Sequence, residues 1–309
     1  MNATRRNGIL LALVAAAISG FSVFVNASAV LAFESATVYT TAKNVVAALA
    51  LLAVVALGTR TGARLTRPIG ARQWLALTAI GLLGGSLAFV LFFEGLARAT
   101  SSQAAFLHKT LVLWVALLAL PLLGERLQWG HWLAIGLLVV GKVGLAGGLP
   151  SSFGTSGLLI LAATLVWSLE VVLAKWLLGG VSSWTVAVAR MGLGSIALLG
   201  WLAARGQLGG LAAMTGEQVG WVLLTGALLA CYVATWFAAL ARAQAVDVTA
   251  VLVLAAPVTA GLSAAVDGTP LAPQAVWLAL VVLGGAAVVR LGGWSTARRD
   301  RAPAVETRG

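Results

Sequence analysis

The chain has 309 residues, 61% of them hydrophobic and 9% charged, with a mean hydropathy of +1.00 and a net charge of +11. That composition excludes a soluble globular domain, and the one cysteine, Cys231, excludes an intrachain disulfide. The basic residues stand in loops between apolar runs and not on one soluble face, which argues against nucleic acid as a partner.

A membrane-spanning helix needs about 20 mostly apolar residues, because the hydrocarbon core is about 30 Å thick and a helix rises 1.5 Å per residue. Nearly the whole chain divides into such runs. After Arg5 and Arg6 they cover about Gly8 to Val30, Thr37 to Leu57, Trp74 to Ala97, Gln103 to Leu123 and His131 to Gly147. A Pro/Ser/Gly linker, LPSSFGTSG, follows, and then come runs at about Gly157 to Leu178, Trp184 to Ala204, Gln218 to Ala241, Val246 to Val266 and Pro273 to Leu291. The expected fold is an all-α membrane protein of ten transmembrane helices. Segments of about 10 residues with alternating polarity, the mark of an outer-membrane barrel, are absent. The polar stretch from Gly292 to Gly309 reads as a disordered tail. Arg5, Arg6 and the small residues Ala27-Ser28-Ala29 also have the form of a signal peptide, but its removal would leave an odd number of spans.

Ten alternating spans put Arg5, Arg6, Arg60, Arg64, Arg67, Arg72, Arg126, Lys175, Arg242, Arg290 and the four arginines of the tail on one side, and only Arg98 and Arg205 on the other. Positive residues gather on the cytoplasmic side, so both termini are expected there, in the inner membrane of the cell. Lys43, Lys109, Lys142 and Arg190 remain at membrane depth.

Phe92-Phe93-Glu94-Gly95-Leu96-Ala97-Arg98-Ala99 matches Trp236-Phe237-Ala238-Ala239-Leu240-Ala241-Arg242-Ala243. The same offset carries Leu127 onto Leu271 and Gly141 onto Gly285, and a slightly larger one carries Lys43 onto Arg190 and Ser19 onto Ser168. The chain therefore reads as two five-helix repeats, residues 1–148 and 149–291, before the tail 292–309. Five spans is an odd number, so the second repeat is inverted. Inverted repeats place a substrate site near the midplane and permit alternating access.

Gly124-Glu125-Arg126-Leu127 before a Gly-rich span to Gly147, Trp167 with Lys175 eight residues on, Arg190 in the next span, and Ala256-Pro257 in the ninth carry a resemblance to a known family. Over about Gly8 to Leu291 the halves resemble tandem EamA domains of the drug/metabolite transporter superfamily. The resemblance implies ten helices, cytoplasmic termini, a cavity lined mainly by spans 1, 3, 4, 6, 8 and 9, and export or exchange of small metabolites. The chain departs from the pattern at Ile18 and Asn26, where the other half has Trp and Lys, and at Asp267-Gly268-Thr269-Pro270. It departs again at His108-Lys109-Thr110 and at Leu113, which stands where the ninth span has Pro257. These departures leave the substrate class open.

An ionisable side chain inside a bilayer is costly unless paired or wetted, so each marks a candidate site. Glu170 in the sixth span suits a substrate amine or a proton, and the competing reading pairs it with Arg190 or Lys175. Lys109 suits a carboxylate, unless it pairs with Glu94, and His108 titrates near neutrality. Trp167, Tyr232 and Trp236 offer aromatic surface, as does Trp114. Asn26, with Ser19 and Ser22, hydrogen-bonds either substrate or a neighbouring helix. Lys43 and Arg190, at matching positions, read as structural. Pro257 kinks its span, as a gate or as static packing, and Glu125 with Arg126 closes a turn, as a helix cap or an inner latch. The expected function is a secondary transporter of a small metabolite, best an amino acid or derivative, because a zwitterion uses an acid, a base and aromatic surface together. Efflux of cationic or hydrophobic drugs is the alternative. No motif supports an enzyme, a metal or another cofactor, and a membrane-embedded lipid-modifying enzyme is the reading from a different class. The expected partners are the small-molecule substrate and membrane lipid, with a proton as candidate coupling ion and the protein a monomer or a homodimer.

Overall fold

A computed structural model describes residues 3–58, 62–96, 107–108, 110–125, 129–145, 154–268 and 270–297. Helices dominate because a chain this apolar must satisfy its backbone hydrogen bonds internally once lipid replaces water. The first half contains α1 (Ala3–Leu31), α2 (Ala36–Ala56), α3 (Gly70–Ala79), a π-helical stretch (Ile80–Leu87), α4 (Ala88–Leu96), α5 (Leu111–Leu123) and α6 (Trp129–Leu145). The second contains α7 (Gly154–Leu177), α8 (Ser183–Ala204), the short α9 (Gly209–Ala212), α10 (Gly216–Leu240), α11 (Ala245–Leu252), α12 (Ala255–Asp267), a 3-10 turn (Ala272–Gln274) and α13 (Ala275–Ala297). No strand occurs among the described residues, and the protein is an all-α membrane protein.

Eight stretches among the described residues are long and apolar enough to cross a bilayer, where the sequence suggests ten. The other two apolar helices, Leu111–Leu123 and His131–Gly141, are shorter. Before the first of these, Leu107 and His108 are helical and the chain turns at Thr110, whose N–H bonds the Leu107 carbonyl at 3.2 Å. The last helix reaches Ala297, into the stretch expected to be a disordered tail, and the remainder lies outside the described residues. Trp74, Trp129 and Trp132 stand exposed near helix ends, as interfacial tryptophans do.

Helix starts follow side-chain chemistry. Ser35 and Ser182 cap α2 and α8, and Thr215 with Gln218 forms a capping box at α10. Packing, by contrast, runs mostly between the halves. Helix α1 lies on α10, α11 and α12, α2 on α8 and α10, and the π-helical stretch and α4 lie on α7 and α8. Helix α5 lies on α7 and α11, and α6 on α13. Exchanging the two halves maps this set of pairs onto itself.

Several backbone details coincide at the 144-residue offset. Gly124 and Gly268 both end their helices in the left-handed region, with φ of +63° and +69°, and their N–H groups bond Ala119 and Ser263. Glycine bears this conformation without the Cβ clash that other residues suffer. Thr110 and Leu254 both interrupt a helix with a bond to the carbonyl three residues back, on Leu107 and Val251.

Candidate functional site

The π-helical stretch organises the site. Its Gly-rich sequence, IGLLGGSL, lets one turn widen, and the Ala88 N–H bonds the Leu83 carbonyl, five residues back. The Gly84 carbonyl thereby loses the donor it would have in an α-helix. It accepts instead from Trp167 Nε1 at 3.0 Å and Arg190 Nη2 at 3.2 Å. Close approach requires glycine here, since a Cβ on Gly84 would lie 2.0 Å from the Glu170 carboxyl. Gly85 and Gly194 let the two backbones touch, a Cβ on Gly85 falling 2.3 Å from the Arg190 carbonyl.

Glu170 and Arg190 face each other at this point. Arg190 Nε donates to Oε1 at 2.5 Å and Nη2 to Oε2 at 3.3 Å, with the residues only 4% and 8% exposed. The two-point geometry is the strong form of a carboxylate–guanidinium contact. Of the two partners considered for Glu170, the structure gives it Arg190. Lys175 instead donates to the Leu240 and Ala243 carbonyls, both at 2.6 Å.

An aromatic cluster adjoins the pair through Phe89 and Trp167. Trp167 lies 4.8 Å from the His108 ring, 5.3 Å from Phe89 and 5.6 Å from Phe92, while Arg190 sits 5.7 Å above Phe89. Tyr232 is within electrostatic reach of the pair and stacks on Trp236 at 6.0 Å, and Trp114 Nε1 bonds the Thr110 hydroxyl. The two best-formed spaces among the described residues are small. One of about 20 Å³ is bounded by His108, Leu111, Val112, Thr249, Leu252 and Val253, and one of about 10 Å³ by Thr37, Thr40, Phe89, Val90, Phe93 and Leu198. Each holds a water at most.

The structure brings Glu170, Arg190, Trp167 and His108 together, stacks Tyr232 on Trp236, and leaves the remaining candidates elsewhere. Asn26 accepts from Tyr39 Oη at 2.5 Å and Lys43 Nζ at 3.0 Å and donates to Ser22, a separate polar cluster between α1 and α2. Glu125 accepts from the Ala245 and Val246 N–H groups at 2.6 and 3.2 Å, capping α11 of the other half. Burial pushes its carboxyl above the ordinary range, and those two bonds pull it back. Pro257 is the third residue of α12, just past the break after Leu252, and the Val253 carbonyl takes the Ala256 N–H at 3.1 Å. Lys109 and Arg126 lie outside the described residues. Glu94, expected against Lys109, lies 3.5 Å from Arg205.

Sequence reasoning passed over Gly84, Phe89 and Asp247. The Gly84-Gly85 pair was the available signal for the first, whereas Asp247 is the second residue of the run Val246 to Val266, at a span end where an acid gives no sign of being buried. Among the described residues no three His, Cys, Asp or Glu gather as a metal site.

Two stretches, residues 6–146 and 155–291, match the model of the EamA-like transporter family. An uncharacterized transporter of Methanothermobacter thermautotrophicus is 32% identical over 111 residues, which is 34% of this chain and 32% of that protein. The matched stretch thus spans about a third of that relative's length. A solved crystal structure superposes with a TM-score of 0.75 at 19% identity, covering 92% of this chain and 98% of the other, a likeness of fold.

Proposed function

Because the chain belongs to the EamA-like transporter family, we propose that this membrane transporter of small molecules exports or exchanges an amino acid or derivative by alternating access. The Glu170–Arg190 pair carries the reading: a carboxylate and a guanidinium, buried at a widened helix turn beside the aromatic cluster of Phe89, Phe92, Trp167 and His108. A zwitterion exchanges with such a pair group for group. Its ammonium takes the place of Arg190 on Glu170, its carboxylate takes the freed guanidinium, and its side chain lies on the rings. In this reading His108, Lys109, Tyr232, Asn26 and Trp236 shape the pocket, while Pro257, Lys43, Glu125 and Arg126 serve gating and scaffold. Efflux of cationic compounds is the second reading, favoured by the aromatic cluster beside an acid.

Ten spans in two inverted repeats, residues 1–148 and 149–291, form the mechanical frame of the proposal. The self-mapping set of helix pairs and the matched details at Gly124 and Gly268 support it. The arginine-rich end is assigned to the cytoplasm of an inner membrane by the charge bias. A proton is the proposed coupling ion, bound where Glu170 parts from Arg190.

Flux into proteoliposomes tests this. Amino acids move and compete with one another in the wild type, and Glu170→Gln/Arg190→Gln, which removes both charges together, abolishes the flux while the protein stays monodisperse. Undiminished flux in that variant sinks the binding role. Transport of amines lacking a carboxylate, without competition from zwitterions, selects the cation reading, and indifference to an imposed pH gradient removes the proton.

A further inference from the structure

At the arginine-rich end of the bundle, one turn is gripped from four directions. The turn joins α10 to α11. Asp247, with no exposed surface, places Oδ2 2.6 Å from Arg5 Nη2 and Oδ1 3.4 Å from His131 Nε2. Arg5 Nη2 also reaches Gln244 Oε1 at 3.5 Å. Glu125 holds the backbone of Ala245 and Val246, and Lys175 holds the carbonyls of Leu240 and Ala243 on the other side of the turn. Three of the grips come from the first half, through the start of α1, the turn after α5 and the start of α6, and the fourth comes from the end of α7. Thr249, two residues past Asp247 on the same helix and 2% exposed, walls the small space next to His108. A solute passing between the Glu170 site and this end must part these contacts.

At the positions that correspond to these residues in the other repeat, the sequence carries no charge. At the 144-residue offset Asp247 corresponds to Gln103, Glu125 to Thr269 and His131 to Ala275. At the larger offset that aligns Ser19 with Ser168, Lys175 corresponds to Asn26 and Arg5 to Gly154. Five titratable or charged groups close one end where the corresponding sequence positions are neutral, and the ion pair described toward the other end, Glu94 with Arg205 at 3.5 Å, is a single, partly exposed contact. We propose that Arg5, Glu125, His131, Lys175 and Asp247 form a one-sided latch that holds the transporter shut at its arginine-rich end, so that its resting state is biased to open toward the other side. The inference rests on the inverted-repeat reading given above. The Arg5, Glu125 and His131 contacts join the turn to three different segments of the first half, so parting the halves breaks these three together, while Lys175 braces the turn from within its own half. The latch stabilises the shut state alone, which is what a shift of population requires.

Accessibility of a buried cysteine tests the latch without any substrate. In a Cys231→Ser background, Thr249→Cys reports through its rate of labelling by a membrane-impermeant maleimide applied at the arginine-rich end of oriented vesicles. In the otherwise native protein labelling is slow. Asp247→Asn, Arg5→Gln and Glu125→Gln each raise the rate by about tenfold or more, as a shifted population requires, and the charge swap Arg5→Asp/Asp247→Arg slows it again. Labelling that is already fast before any latch substitution overturns the proposal, and so do unchanged rates in variants that elute as folded protein. If Asp247→Asn does not fold, Glu125→Gln, which keeps the side-chain shape, decides the question. Rapid labelling in latch variants of a protein that moves neither zwitterions nor cations leaves the latch standing and removes the substrate reading. Flux with unchanged labelling does the reverse.

Discussion

Glu170 and Arg190 show how a bilayer constrains single side chains. Each alone at this depth would be costly, and together, with the Gly84 carbonyl taking a further Arg190 hydrogen, their buried polar groups find partners. The pair is therefore more dangerous to break than to delete. Glu170→Gln leaves the guanidinium buried without its counter-charge and is expected to cost about 3–5 kcal/mol. Glu170→Leu/Arg190→Leu, which removes both charges and fills the space, is expected to recover most of that loss. Equilibrium unfolding in detergent measures both, and equal stability of the single and double variants contradicts the pairing argument.

Among the elements, the π-helical stretch and α11 do the unusual work. A regular α-helix over Ile80–Leu87 would spend the Gly84 carbonyl on Ala88, and Trp167 and Arg190 would lose their common acceptor. Helix α11 starts with its first N–H groups bonded to a glutamate from the other half, so its N-terminus is satisfied by tertiary structure and not by its own sequence. Burial raises the Glu125 carboxyl above its ordinary value of 4.5. The native state then holds this proton more tightly than the unfolded chain does. Its contribution to stability is complete below about pH 4.5 and is lost as pH rises through the raised value. Glu125→Gln, which cannot ionise, is expected to remove that part of the slope. Melting temperatures in detergent across this pH range check it, and an unchanged slope in the variant counts against the assignment.

For the whole molecule, the halves are held together by each other more than by themselves, since α1, α2, α4 and α5 all pack on helices of the second half. Such an arrangement suits rocking about a shared site. Its sidedness is testable by cysteine labelling in the Cys231→Ser background: Leu208→Cys is expected to react with an impermeant reagent on intact cells, and Leu65→Cys only after lysis. The reverse pattern inverts the assigned topology. Helical, membrane-embedded architecture was legible in composition and run length, because burying a backbone in lipid leaves a helix almost no alternative. Glu170 and Arg190 were legible as intramembrane charges for the same energetic reason. Contacts were not. Hydropathy says that a residue is buried without saying against what, so Asn26 and Lys43 gave no sign of bonding each other, nor Asp247 of meeting Arg5 and His131 across more than a hundred residues of chain. By itself the sequence determined how many apolar runs there are, where the charge lies and which family the chain resembles. Only the tertiary structure decided which buried charges pair, which carbonyl is freed and which turn Arg5, Glu125 and Lys175 hold, because those depend on distances between helices that no local pattern of residues encodes.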